Sequence, residues 1–282
     1  MVKIISDSTC DLSPELLERY DIDILPLHIL LGDQEYEDGK NITPAQIYAW
    51  SDANKTTPKT SAPALADAME LFRPYVEAGR EIVCFSISSG MSTSGNVMRL
   101  AAEELGASEQ ITVIDSANLS TGIGLLVVEA AIMAKDNRNA FEIASAIERL
   151  KPKVRASFVV DTLTYLYRGG RCNAVAAMAG GVLKLHPKIV VENGAMNASK
   201  KYRGKIASVI MAYVNDMESD LKNAKPERVF ITHSGCDREI VEKVQSYLEG
   251  LGVFHEILET RAGGVVSSHC GPGTLGVLYI TK

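Results

Sequence analysis

Hydroxyl side chains crowd a few short stretches of this chain, and the densest is SISSGMSTSGN, residues 86–96. There Ser86, Ser88, Ser89, Ser92, Thr93 and Ser94 follow directly on the apolar run EIVCF. Ser92, Thr93 and Ser94 fall where the helix NVMRLAAEEL should begin, and any one of them could cap its unpaired backbone N–H groups. Six hydroxyls exceed what one cap requires. A helix N-terminus with neighbouring hydroxyls, and a glycine that lets the backbone approach, is suited to an anion. A nucleophilic serine is the competing reading. Gly90-Met91-Ser92-Thr93-Ser94-Gly95 misses the G-x-S-x-G elbow by one position. A triad would also need an acid and one of His28, His186, His233, His255 or His269.

In KTTPKTSAPALADAMELF, Ser61 and Pro63 read as a helix entry, with Thr60 just ahead of it presenting a free hydroxyl. In VVSSHCGPGTLGVLY, the turn Gly271-Pro272-Gly273 brings His269 close to a closing strand. In YLYRGGRCN, Arg168 and Arg171 bracket two glycines, so guanidinium groups can reach a surface without steric cost. With Lys200, Lys201, Arg203 and Lys205 they suggest a docking face for a phosphate-bearing partner. Asp7 and Asp11 of SDSTCD invite a Mg²⁺ reading, but no further acids are spaced to complete an octahedral site, and Asp before a helix is commonly a cap. We expect no metal.

The elements that must position these loops alternate. VKIISDSTCDLSPELLERY, EIVCFSISSGMSTSGNVMRLAAEEL, ITVIDSANLSTGIGLLVVEAAIMA and RVFITHSGCDREIVEKVQSYLEGLG each run strand, polar turn, helix. That pattern predicts an α/β protein with a largely parallel sheet, whose loops converge at the carboxyl ends of the strands. From about Arg155 onward the character changes. Asn193-Gly194 is a type I′ hairpin signal between two strand-like runs, predicting a separate, more antiparallel α+β domain. The expected division is residues 1–155 and 156–282, in keeping with a length above the usual single-domain size.

Composition excludes several classes of function. The net charge is −6 and no Lys/Arg run exceeds two residues, which argues against nucleic acid as a partner. The five cysteines are scattered without a C-x-x-C pair, as a reducing cytoplasm would allow. No stretch approaches the roughly 20 apolar residues of a membrane-spanning helix, and MVKIISDSTC lacks the regions of a signal peptide. Neither the P-loop pattern nor a G-x-G-x-x-G after a strand is present, so nucleotide binding by those routes is unsupported.

Taken together, SDSTCDL (6–12), TSAPA (60–64), SSGMSTS (88–94), VIDS (113–116), DTLTYLYRGGR (161–171) and HCGPGTLG (269–276) resemble the DegV family of bacterial fatty-acid-binding proteins, which includes FakB, the lipid-binding component of fatty acid kinase. The resemblance runs from the first strand to the last. It implies two α/β domains with a long-chain fatty acid buried at their junction. Thr60 and Ser92 would hold the carboxylate, with Ser61, Thr93 and His269 close to it. Arg171 and Arg203 would present the ligand to a separate kinase subunit, with room for transient membrane contact. On this reading the chain is cytoplasmic, has no catalytic residue and no cofactor, and delivers a carboxylate for acyl-phosphate formation that feeds phospholipid synthesis. The alternatives are a stand-alone acyl hydrolase or transferase, and a carrier or sensor of another small anion.

The chain departs from the family pattern at TSAPA, at Cys270, and at Thr93, where the family has glycine. Thr93 is expected to restrict the loop, because threonine does not enter left-handed conformations cheaply. The apolar stretches LLVVEAAIMA and NAVAAMAGGVL offer lining for the ligand's tail, with core packing as their ordinary role.

Overall fold

The computed structural model describes residues 1–171 and 185–282; the stretch NAVAAMAGGVL, expected as a helix and as tail lining, lies outside the described residues. The first sheet has four parallel strands in the order β2 (Ile22–Leu25), β1 (Lys3–Asp7), β6 (Ile82–Ser86), β7 (Ile111–Asp115). β1 and β6 are buried along their whole length. Strands covered on both faces read as continuous apolar runs, as IVCF does.

A second sheet has the order β10 (Ala195–Arg203), β9 (Leu185–Glu192), β8 (Val154–Val159), β13 (Leu275–Thr281), β11 (Ala224–His233), β12 (Glu256–Arg261). Its pairs are antiparallel except β11 with β12. The chain thus adopts the expected mixed fold, a parallel-sheet unit followed by an α+β unit. Asn193 and Gly194 take φ of 51° and 75° in the two-residue turn joining β9 to β10, as a type I′ hairpin requires.

Between the two sheets lies the helix Thr121–Lys135, which touches β1 and β6 on one side and β8 and β13 on the other. Leu125, Leu126, Val127 and Val128 are fully buried in one core with Phe85 and Phe158. A helix apolar all round is buried all round. LLVVEAAIMA therefore joins the two units and supplies no wall to the cavity described below. Among the described residues no helix is long and apolar enough to cross a membrane.

A third, small antiparallel sheet comprises β4 (Gln34–Glu37), β3 (His28–Leu31) and β5 (Lys59–Ser61). It corrects the reading of KTTPKTSAPA. Thr60 and Ser61 belong to β5, opposite Ile29 and His28, and do not form a helix entry. The next helix, Leu65–Glu77, is capped by Ala64 with no side-chain bond. Ala62, preceding Pro63, is pushed towards extended geometry, and Thr favours strands.

Three buried carboxylates tie these parts together. Asp7, at the end of β1, accepts from Ile87 N at 2.8 Å and Ser94 Oγ at 2.8 Å, fixing the serine-rich loop after β6. Asp11 accepts from Gly263 N at 2.8 Å and Ser120 Oγ at 2.5 Å. Asp38 accepts from Gly264 N at 2.6 Å and Ser8 Oγ at 2.9 Å. Asp11 and Asp38 together hold the start of the helix Gly264–Cys270. The acids of SDSTCD are thus scaffold, and Asp7 also caps the short turn Ser8–Cys10 as the sequence suggested.

Burial pushes all three acids upward, Asp11 to about 8, with the nearby Asp38 and Asp7 charges adding to it. The folded protein therefore holds a proton on Asp11 that the unfolded chain releases near the ordinary value of 3.8. Stability from this group is present at low pH and is lost as pH rises through about 8. Chemical denaturation between about pH 4 and about pH 8 should show the wild type losing stability as pH rises, with no further loss from this group above that range. Asp11→Asn, neutral throughout, should show a shallower decline; parallel curves would refute this account.

Candidate functional site

β5, the loop after β6 and the helix Gly264–Cys270 meet around a cavity of about 470 Å³. That is within the roughly 300–1,000 Å³ usual for small-molecule sites. Thr60, Ser61, Ser89, Ser92, Thr93 and His269 line it together with Arg171. Leu27, Ile87, Met91, Leu119, Met196, Val265, Val266 and Cys270 complete it with apolar surface. The cavity is therefore amphipathic.

Its polar group is built around one contact. Thr60 Oγ1 lies 2.7 Å from His269 Nε2, joining two segments 209 residues apart. His269 is half-buried, and its buried Nδ1 has no hydrogen-bond partner among the described residues. Burial, with the Arg171 charge adding to it, lowers its pKa to about 4, so the ring is neutral at physiological pH. With the proton on Nε2 the ring donates to Thr60. Only a lone pair is then unpaired at Nδ1, and the Thr60 O–H is free to donate to an anion in the cavity. Among the described residues no carboxylate orients Nδ1, so the third member of a hydrolytic triad is not found among them.

Beyond Ser86, which ends β6, the hydroxyls of SISSGMSTSGN divide into two sets. Ser88 Oγ donates to Gly194 O at 2.6 Å, tying the loop to the β9–β10 hairpin, and Ser94 Oγ donates to Asp7. These two are scaffold. Ser89, Ser92 and Thr93 line the cavity. Ser92 Oγ accepts from Ser94 N at 3.2 Å, which directs its own proton away from the backbone. The helix begins at Ser94, and its N-cap Thr93 makes no side-chain cap bond.

Thr93 has φ of −89°, so the feared left-handed strain is absent and threonine fits where the family has glycine. The glycine that the loop does require is Gly90, where a Cβ would lie 2.9 Å from Gly194 O.

The two arginines are not brought together. Arg171 is exposed, lines the cavity, and donates from Nη1 to Gly169 O at 2.8 Å. Arg203 is exposed at the end of β10, opposite Leu185, and does not line the cavity. Lys200 of the same strand is engaged with Asp216 at 2.5 Å. Among the described residues no group of His, Cys, Asp or Glu is arranged to hold a metal ion.

Sequence reading missed Leu27 and Met196, which carry no motif, and the supporting part played by Asp38. A buried acid in GDQEYEDG differs from a solvated one only through tertiary contacts.

Comparison with known proteins agrees with this architecture. A family model described as an uncharacterised protein family, DegV, matches residues 1–282. A DegV domain-containing protein of Deinococcus radiodurans is 31% identical over 278 residues, covering 98% of this chain and 97% of its own. A DegV family protein of Thermus thermophilus, described for its fatty acid binding, superposes with a TM-score of 0.90 at 27% identity, covering 100% of this chain and 99% of that one. A stearic acid-binding protein of Eubacterium ventriosum is 31% identical with a TM-score of 0.87, again covering 100% and 99%.

Gly169 gives a direct check of the His269 placement. A Cβ there would lie 2.3 Å from Nδ1. Gly169→Ala should destabilise the protein by about 1–3 kcal/mol through overpacking, measured by urea unfolding. NMR should also show His269 displaced, with its ring titrating nearer the ordinary histidine range.

Proposed function

This chain belongs to the DegV family, and on that premise we propose that it binds one long-chain fatty acid and presents its carboxylate to a separate kinase subunit. The observation that carries the reading is the cavity's make-up. Hydroxyl donors, with Thr60 bonded to His269, share its lining with a larger number of apolar side chains.

A fatty carboxylate is ionised at neutral pH, with a pKa near ~4–5, and burying it costs free energy unless several donors face it. Thr60 and Ser92 are the proposed direct ligands. Ser61 and Thr93 flank them, and His269 orients the Thr60 hydroxyl. The apolar remainder shields the chain, each buried methylene contributing about 0.8 kcal/mol. In this proposal residues 1–155 supply the hydroxyl loops, and residues 156–282 supply His269 and cover the acyl chain.

The kinase partnership rests on two features. The sequence carries no nucleotide-phosphate motif, so a phosphoryl donor would have to be held by another protein. Arg171 stands exposed beside the cavity, suited to a partner's phosphate or carboxylate groups, and Arg203 would extend that docking face. The product would be an acyl phosphate for phospholipid synthesis. That no described residue orients Nδ1 of His269 favours binding over hydrolysis.

Solvent extraction of the purified protein followed by mass spectrometry should release a long-chain fatty acid. Thr60→Ala and Ser92→Ala should each weaken its binding by roughly tenfold to a hundredfold, the range for losing a hydrogen bond to a charged group. Acyl-phosphate formation with a fatty acid kinase should fall in the double variant. Unchanged affinity in that variant would remove the site assignment, and ester turnover lost in Ser92→Ala would replace binding by hydrolysis.

A further inference from the structure

Beside the main cavity lies a smaller void of about 30 Å³. Leu119, Val266 and Cys270 line both, and so form the wall between them. Val266 and Cys270 are four residues apart on the helix Gly264–Cys270 and share one of its faces. Leu119 meets them from the segment leading into the helix Thr121–Lys135. Phe158, Ala262, Gly276 and Leu278 stand beyond the wall.

The polar side chains around the void are already engaged. Thr232 Oγ1 is bonded to Thr121 at 2.6 Å and Thr260 at 2.9 Å. Ser234 Oγ donates to Gly271 O at 2.5 Å and accepts from Thr274 N at 3.0 Å. Thr274 Oγ1 donates to Cys270 O at 3.0 Å, and Ser120 Oγ donates to Asp11. His233 contacts Glu259 through Nε2 and accepts from Cys236 N at Nδ1. A buried water needs about two to four polar partners, and the surface facing this void is almost wholly apolar. It is dry space, and the atoms around it lack dispersion contacts on one side. The end of an alkyl chain is the guest whose chemistry fits it.

Resting on the fatty-acid reading above, we propose that Leu119, Val266 and Cys270 form the stop that sets acyl-chain length. The head group is fixed at Thr60 and Ser92, so added methylenes must advance at the other end. A chain that fits ends against this wall, and a longer one has to displace it into the void. Cys270 stands where the family motif has threonine, so the wall presents a thiol in place of a strongly hydrogen-bonding hydroxyl.

The test is binding of a saturated fatty acid series that lengthens by two methylenes at a step. Wild type should show an optimum, then a fall. Leu119→Ala and Val266→Ala each join the two spaces and should move the optimum one step longer. The longer acid should gain roughly fourfold for each methylene newly buried, the equivalent of about 0.8 kcal/mol. Ala262→Val, which fills the void from its far side, should reverse the shift when added to Leu119→Ala and leave shorter acids unaffected. This last variant separates occupancy of the void from general loosening. It also keeps the proposal testable through Val266→Ala if Leu119→Ala fails to fold. An optimum unmoved in variants that bind the shorter acids normally would overturn the stop. A wild type that binds no fatty acid of any length would instead overturn the functional reading beneath it.

Discussion

Burying a carboxylate without a cation beside it is the constraint from which this structure follows. An ionised or protonated carboxyl in the interior must have its oxygens met by donors, or the fold loses more than it gains. Asp7, Asp11 and Asp38 meet the requirement with neutral groups drawn from distant parts of the chain: Ile87 N and Ser94 Oγ for the first, Gly263 N and Ser120 Oγ for the second, Gly264 N and Ser8 Oγ for the third. Each acid can be satisfied only when those segments stand in one arrangement. The loop bearing Ser92 and the helix bearing His269 are therefore positioned before any ligand arrives, which lowers the ordering cost of binding.

The same solution recurs one layer inward, where the proposed ligand is itself a carboxylate. The loop after β6 serves both layers by separating its hydroxyls. Ser88 and Ser94 face the scaffold, while Ser89, Ser92 and Thr93 face the cavity. A lysine or arginine deep in the cavity would hold an anion more tightly, but would also hold it when the proposed presentation to a partner requires exchange. Arg171 stays exposed beside the cavity, close enough to help keep His269 neutral.

Much of this was legible in the sequence, for reasons that are local. Strand, polar turn and helix in succession predict the parallel sheet, since IVCF and its neighbours can be continuous apolar runs only if both faces are covered. Asn193-Gly194 announces its hairpin because those residues tolerate the positive φ that the turn demands. Three things were not legible. Thr60 and Ser61 form an edge strand because β3 is there to pair with them, a tertiary fact that no local pattern states. LLVVEAAIMA satisfies the composition of a ligand wall and of a core helix equally, and only the second sheet decides between them. Asp7 and Asp11 look like caps or metal ligands until their donors, many residues away, are known.

One short helix finally links the two ends of the proposed ligand. Gly264–Cys270 carries His269, which contacts the Thr60 hydroxyl, and also Val266 and Cys270, which part the cavity from the void behind it. Its start is clamped by Asp11 and Asp38. Moving the helix to admit a longer chain would also move His269 relative to Thr60, and a shift of a few tenths of an ångström is felt in a contact of 2.7 Å. On the proposed reading, tail length and head-group geometry are thereby coupled through this one helix. A chain that overruns the wall would weaken the donors at its own carboxylate, so discrimination by length would exceed what loss of apolar contact alone provides.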